Sequence, residues 1–248
     1  VNDVHGGPAS VDRALDLLEA VARSAEPVGA KALARELGCA LSTVYHLLAP
    51  LTARGHVART PDGYVLGPRV PSLYRSFQRQ AGIDTGTRGL LMDVRRAAGA
   101  HAYLSVRRGG RIAVIDSTTA VTAHGADPFE VGPDHGAHAT AHGKVLLASL
   151  PRRARRRYLD EFGLPRLTEH TITSPDRFEA ELRRVRAAGV AVSVGETDPA
   201  YTCVAVPLGD GTRALSVSLP TAHFRGRRAE LARVLTRAAR HGFPAASE

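Results

Sequence analysis

The chain is 248 residues long, 44% hydrophobic and 23% charged, with two cysteines and a formal charge of +9. That composition suits one large or two modest globular domains and excludes general disorder and a disulfide-stapled scaffold. No apolar run approaches the roughly 18 residues of a spanning helix, and residues 1–10 lack the order of a signal peptide, so no membrane partner and a cytoplasmic location are expected.

Ser10 is placed to cap a first helix whose apolar positions Val11, Ala14, Leu15, Leu18 and Val21 recur at helical spacing. The stretch SAEPVG breaks it, and AKALARELG reads as a short helix ended by Gly38. After GCAL, Ser42 opens another helix. Val44, Leu47, Leu48 and Leu51 fall on one face, and Ser42, Thr43, Tyr45, His46 and Ala49 on the other. Two helices joined by a short turn beginning with glycine form the helix-turn-helix pattern. HVARTPDGYVLG follows as a hairpin about a Pro-Asp-Gly turn, in the place of a wing.

Residues 71–84 read as a linker with a short helix after Pro71. Beyond it a helix near 85–98 leads to strands HAYLSVR and RIAVID, then a loop with at most one strand. TAHGKVLLASL and RRARRRYLDEF are helical. The next helix is capped by Ser174, with Pro175 at its first position and Gly189 at its end. Strands VAVSVGE, TCVAVPL and RALSVSL and a helix near 227–241 close the chain. The expected class is α+β: a winged helix-turn-helix domain over 8–70, a linker over 71–84 and an α/β domain over 85–248.

Charge points to what the small domain does. Residues 1–75 hold eight Lys and Arg against seven Asp and Glu, so net charge does not place a polyanion there. Local distribution does. Nothing between Glu36 and Asp62 is acidic, while His46, Arg54, His56 and Arg59 lie inside that span. A recognition helix enters the major groove with its N-terminal residues leading, so its first turn should be small, polar and free of carboxylates. Ser42, Thr43, Tyr45 and His46 are the candidate base and phosphate contacts, and Arg59 is placed for a contact from the wing. Double-stranded DNA is the expected partner.

With STVYHLL and GYVLGPR in the head, and HATAHGK and ETDPAYTCVAVP further on, the sequence resembles the IclR family of bacterial transcriptional regulators along nearly its whole length. The resemblance implies a GAF-like C-terminal domain that binds a small effector, often a carboxylate, and assembly as a homodimer or homotetramer. It places Ala141 and His142 where backbone amides meet the ligand, with Ser193, Cys203, Ser216 and Ser218 in the pocket. Ser216 and Ser218 share one strand face by alternation alone. The implied function is a sequence-specific regulator, a repressor modulated by its effector. The alternatives are a DNA-binding regulator without an effector, and a small-molecule-binding α/β protein whose head only mediates assembly.

The chain departs from the family pattern in several places. His46 stands where many members carry arginine, and Pro50 lies inside the recognition helix, where a kink is expected. Gly136, Ala137, His142 and Ala200 replace usual residues around the pocket. His135, His138 and His142, with His124 upstream, raise a metal reading, but no cysteine or well-placed carboxylate completes a set. No metal or cofactor is expected. No nucleophile elbow, H-E-x-x-H or phosphate loop is present, and nothing positions a partner against Glu196 and Asp198, so no enzyme is expected. The arginine run at 152–157 reads as a solvated helix face.

Overall fold

The apolar spacing of the first segment produces helix α1, Ala9–Arg23, but not with the expected cap or stripe. Pro8 stands at the N-cap and Ser10 is already inside the helix. Leu17, Ala20 and Val21 are buried, whereas Val11 and Leu15 are 51% and 54% exposed. The segment carries apolar residues on two sides, and the one turned inward meets the next two helices. In the computed structural model, residues 8–81, 85–119, 132–133 and 136–242 are described. The chain divides into two compact units at Asp84 and Thr85.

In the first unit, α2 (Ala30–Glu36) ends where Gly38 turns left-handed at φ 60°. The Cys39 N–H reaches the Ala34 carbonyl at 3.1 Å, closing the helix end. The chain then re-enters a helix at Leu41, giving α3, Leu41–Ala53. Its N-cap is Ala40 and no side chain caps it, so Ser42 lies within the first turn rather than opening the helix. The helix continues three residues past Pro50. Leu17, Val21, Leu33, Val44, Leu48 and Val57 share one core.

The wing is an antiparallel pair, β1 (Val57–Thr60) and β2 (Gly63–Leu66), with Arg59 opposite Tyr64. Val28 adds a third rung, exchanging two 2.9 Å backbone bonds with Tyr64. That ties the wing's base to the loop between α1 and α2. Behind the wing the Gly67 N–H donates to the His56 carbonyl at 2.8 Å. A Cβ at Gly67 would come within 2.2 Å of the Gly55 carbonyl oxygen. Gly67→Ala should therefore destabilise this unit by about 1–3 kcal/mol, seen as an earlier melting transition. An unchanged transition would show that this approach is not tight.

The helix expected after Pro71 is longer and begins earlier, as the thirteen-residue α4, Arg69–Ala81. Pro71 sits in its first turn, where a missing N–H costs no intrahelical bond. The second unit begins with α5 (Thr85–Ala98), β3 (His101–Arg108), β4 (Arg111–Ser117) and a two-residue strand β5 (Gly132–Pro133). Helices α6 (Ala141–Ala148), α7 (Arg152–Phe162) and α8 (Pro175–Ala188) follow, then β6 (Ala191–Val194), β7 (Tyr201–Leu208), β8 (Arg213–Pro220) and α9 (Arg228–Gly242). The described strands of this unit form one antiparallel sheet in the order β5-β4-β3-β8-β7-β6. Helix α6 packs on the face carrying Tyr103, Cys203, Ala205 and Ala214, with α8 beyond it. Helices α5 and α9 pack on each other and on the sheet. The α+β class expected from the sequence is the one observed.

Candidate functional site

Helical periodicity divides α3 as its sequence requires. Val44 and Leu48 are buried in the head's core, and Ser42, Tyr45 and His46 are exposed with Thr43 half-buried. No acid lies in the first turn. Of the bounding acids, Glu36 pairs with Arg23 at 2.7 Å and Asp62 sits at the wing's tip. Arg59 is exposed on β1. Four of the five predicted contact residues thus share the outer side of one helix, and the fifth stands on the wing. Lys31 on α2 and Arg54 at the end of α3 are also exposed, beyond the residues singled out from sequence.

The second site forms around the start of α6. Thr140 is its N-cap, accepting from the Gly143 N–H at 3.0 Å, so Ala141 and His142 open the helix. Both are fully buried. Gly143 is needed there, because a Cβ would lie 1.9 Å from the Ala137 carbonyl oxygen. Across β6, β7 and β8 the register sets Ser193 opposite Cys203 and Cys203 opposite Ser218, in a row on one sheet face. Ser216 lies one step along that face, between Tyr103 and Ala205. Ala141, Cys203 and Ala205 belong to one core. Ser193, Cys203, Ser216 and Ser218 are therefore close on one sheet face, and α6, which carries Ala141 and His142, packs on β6, β7 and β8.

Their hydrogen bonds differ. Ser193 donates to the Ala139 carbonyl, and Thr197 donates to the same oxygen at 3.0 Å, so both clamp the turn that precedes α6. The Ser216 and Ser218 hydroxyls are buried with no hydrogen-bond partner among the described residues. Buried hydroxyls are rarely left so, which marks them as open to a ligand or water.

One feature was missed in the sequence. Lys144, fully buried, forms an ion pair with Glu196 and lies 3.9 Å from Glu181. The expectation that nothing faces Glu196 is therefore corrected: an amine from α6 does. Burial raises the Glu196 pKa and Lys144 opposes that rise. The signal was available, since in α6, AHGKVLLA, Lys144 stands with His142 among residues otherwise small or apolar. The arginine run is also corrected in part. Arg155 is buried, pairing with Glu179 through two bonds of 2.8 and 2.9 Å and donating to the Leu150 carbonyl at 2.8 Å, while its four arginine neighbours in α7 are exposed.

His138 Nε2 lies 2.9 Å from the Pro165 carbonyl oxygen. His124 and His135 lie outside the described residues. Among the described residues no group of three or more His, Cys, Asp and Glu side chains could hold a metal ion.

A helix-turn-helix with a wing, presenting an acid-free outer face and followed by an α/β domain, defines a two-domain DNA-binding transcriptional regulator. The chain belongs to the IclR family of bacterial transcriptional regulators: residues 10–61 match the IclR helix-turn-helix domain and residues 77–241 the IclR C-terminal domain. It is 31% identical over 223 residues to the transcriptional regulator BhcR of Paracoccus denitrificans, covering 87% of this chain and 79% of that protein. Its fold is similar to the crystal structure of Thermotoga maritima IclR, with TM-score 0.74 and 25% identity over 93% of this chain and 96% of that one. An IclR homolog of Microbacterium hydrocarbonoxydans, complexed with 4-hydroxybenzoate, has TM-score 0.73 at 21% identity over 93% and 95% of the two chains.

Proposed function

We propose that this regulator is a repressor that reads its operator with Ser42, Thr43, Tyr45 and His46 in the major groove and Arg59 on the backbone. The observation that carries the reading is the exposed first turn of α3, without an acid and without a side-chain cap. Its amides and hydroxyls are thus left for phosphate and base edges. In this reading residues 8–70 bind DNA, 71–84 connect, and 85–248 bind effector and mediate assembly as a homodimer or homotetramer. The exposed Val11 and Leu15 of α1, and Leu73 and Tyr74 of α4, add apolar surface for assembly outside that domain. No helix among the described residues is long and apolar enough to cross a membrane, which suits a cytoplasmic location. The protein acts by binding, without catalysis. Footprinting on the intergenic DNA beside its own gene tests the reading: a salt-sensitive, protected site supports it, and no protection at low salt refutes it.

The effector is a small carboxylate held at the start of α6, with its other polar groups on Cys203, Ser216 and Ser218. Two things support this: the unmet hydroxyls of Ser216 and Ser218, and the carboxylate in the Microbacterium hydrocarbonoxydans homolog. The ligand acts through unequal affinity for two arrangements of the protein. His142→Leu removes ring nitrogens beside the acid, and should weaken a confirmed carboxylate effector about tenfold, the effect of one charge-assisted hydrogen bond. Calorimetry that found equal affinities in parent and variant would place the carboxylate elsewhere.

A further inference from the structure

The excess positive charge of this DNA-binding protein lies mostly outside its head: residues 76–248 hold 25 Lys and Arg against 17 Asp and Glu. Helix α9 contributes Arg228, Arg233, Arg237 and Arg240 and a single acid, Glu230. That acid is engaged by Arg227 at 2.9 Å. Arg233, Arg237 and Arg240 recur at i, i+4 and i+7, all exposed, so they form one stripe. With His241 they wall a groove of about 410 Å³ whose other lining residues are Ala188, Val190, Ala232 and Thr236. No carboxylate is among them.

Like charges three and four residues apart repel and weaken a helix. Some arginines of this unit are relieved from within, as where Glu179 meets Arg155 and Glu181 meets Arg184. On α9 the single acid, Glu230, is shared between Arg227 and Arg233, and Arg237 and Arg240 pair with no carboxylate among the described residues, so the stripe fits an anion from outside the chain. The shape of the groove narrows the choice. Apart from the lone imidazole of His241 it offers no aromatic ring, too little for stacking successive unpaired bases, and only small side chains and one valine where a peptide helix would need deep apolar pockets. What remains is a row of charges spanning about 10 Å along the helix. A duplex strand presents one phosphate per roughly 3.4 Å of axis, so the row can meet about three.

We propose that Arg233, Arg237 and Arg240 form a second, sequence-independent contact for the phosphates of duplex DNA, made by the C-terminal domain in addition to the head. The contact adds affinity by raising the effective concentration of a protein already held at its site.

The test uses the full chain and a mixed-sequence duplex of about 60 bp, followed by fluorescence anisotropy from about 50 to about 300 mM KCl. The variant Arg233→Gln/Arg237→Gln/Arg240→Gln should bind more weakly at low salt, with a log–log salt slope shallower than the parent's by about two to three units. The matching triple lysine variant keeps the charge and should keep the parental slope. The difference should persist in a Thr43→Glu background, which separates it from the head. Equal slopes in parent and glutamine variant would overturn the proposal, as would failure of the parent to bind this duplex at the lowest salt. A changed oligomeric state of the glutamine variant in sedimentation would overturn it in favour of an assembly surface. Competition by polyglutamate as effective as by DNA, and lost in the glutamine variant, would overturn it in favour of an acidic protein.

Discussion

Thr43→Glu should eliminate operator binding while leaving the head folded. Residue 43 is the third residue of α3, half-buried beside the exposed Ser42 and Tyr45. A carboxylate there suits the helix itself, because negative charge in the first turn is favoured by the helix dipole. It does not suit a helix held against phosphates, where like-charge contact costs several kcal/mol, on the order of a 100-fold loss of affinity or more. Arg59→Ala differs in kind. It should weaken binding evenly across sequences and reduce the salt slope by about one unit, because it removes one phosphate contact. Gel-shift titration of both variants against the operator, with circular dichroism as the folding control, decides the matter. Parental affinity in Thr43→Glu would move the recognition face off α3.

Glu196→Ala should destabilise the C-terminal domain by about 3 kcal/mol, because it leaves the ammonium of Lys144 buried without its closest partner. The estimate stands at the low end of the range for such breaks because Glu181 lies 3.9 Å away and takes up part of the charge. Lys144→Met/Glu196→Leu, which removes both charges together, should recover most of the loss, since an apolar pair avoids the desolvation cost. Thermal unfolding of the three proteins, read in the transition of this domain, gives the comparison. A double variant as unstable as the single one would show that Glu196 matters for backbone order rather than for charge.

The fold was legible where local signals agreed. Ser174, Pro175 and Gly189 fix both ends of α8, and the Pro-Asp-Gly turn fixes the wing. It was misread where one residue carried two meanings. Pro71 reads as preceding a short helix, whereas the first turn accepts it and the helix starts at Arg69 and runs thirteen residues; α1 shows two apolar sides, of which one carries its buried residues. The exposed face of α3, which is the proposed DNA face, could be read because exposure follows helical period and charge is counted directly. The candidate effector site was partly legible as geometry, since strand alternation puts Ser216 and Ser218 on one face. The tie between Lys144 and Glu196 joins residues 52 apart. No periodicity in a single sequence reports such a contact, so only the odd placement of a lysine among apolar residues hinted at it.

The turn before α6 is fastened several times over, by Ser193 and Thr197 to one carbonyl oxygen, by Gly143 against Ala137, and by Lys144 to Glu196. This divides the site unequally for an evolving lineage. Residues of the fastening answer to one another, so a change at any of them is judged first by whether the domain still folds. Ser216 and Ser218 answer to no neighbour through a hydrogen bond. If the effector sits as proposed, their replacement by residues of similar size would alter what is recognised without breaking a hydrogen bond of the fold, so a descendant could acquire a new effector through β8 while the proposed anchor at α6 stays as it is.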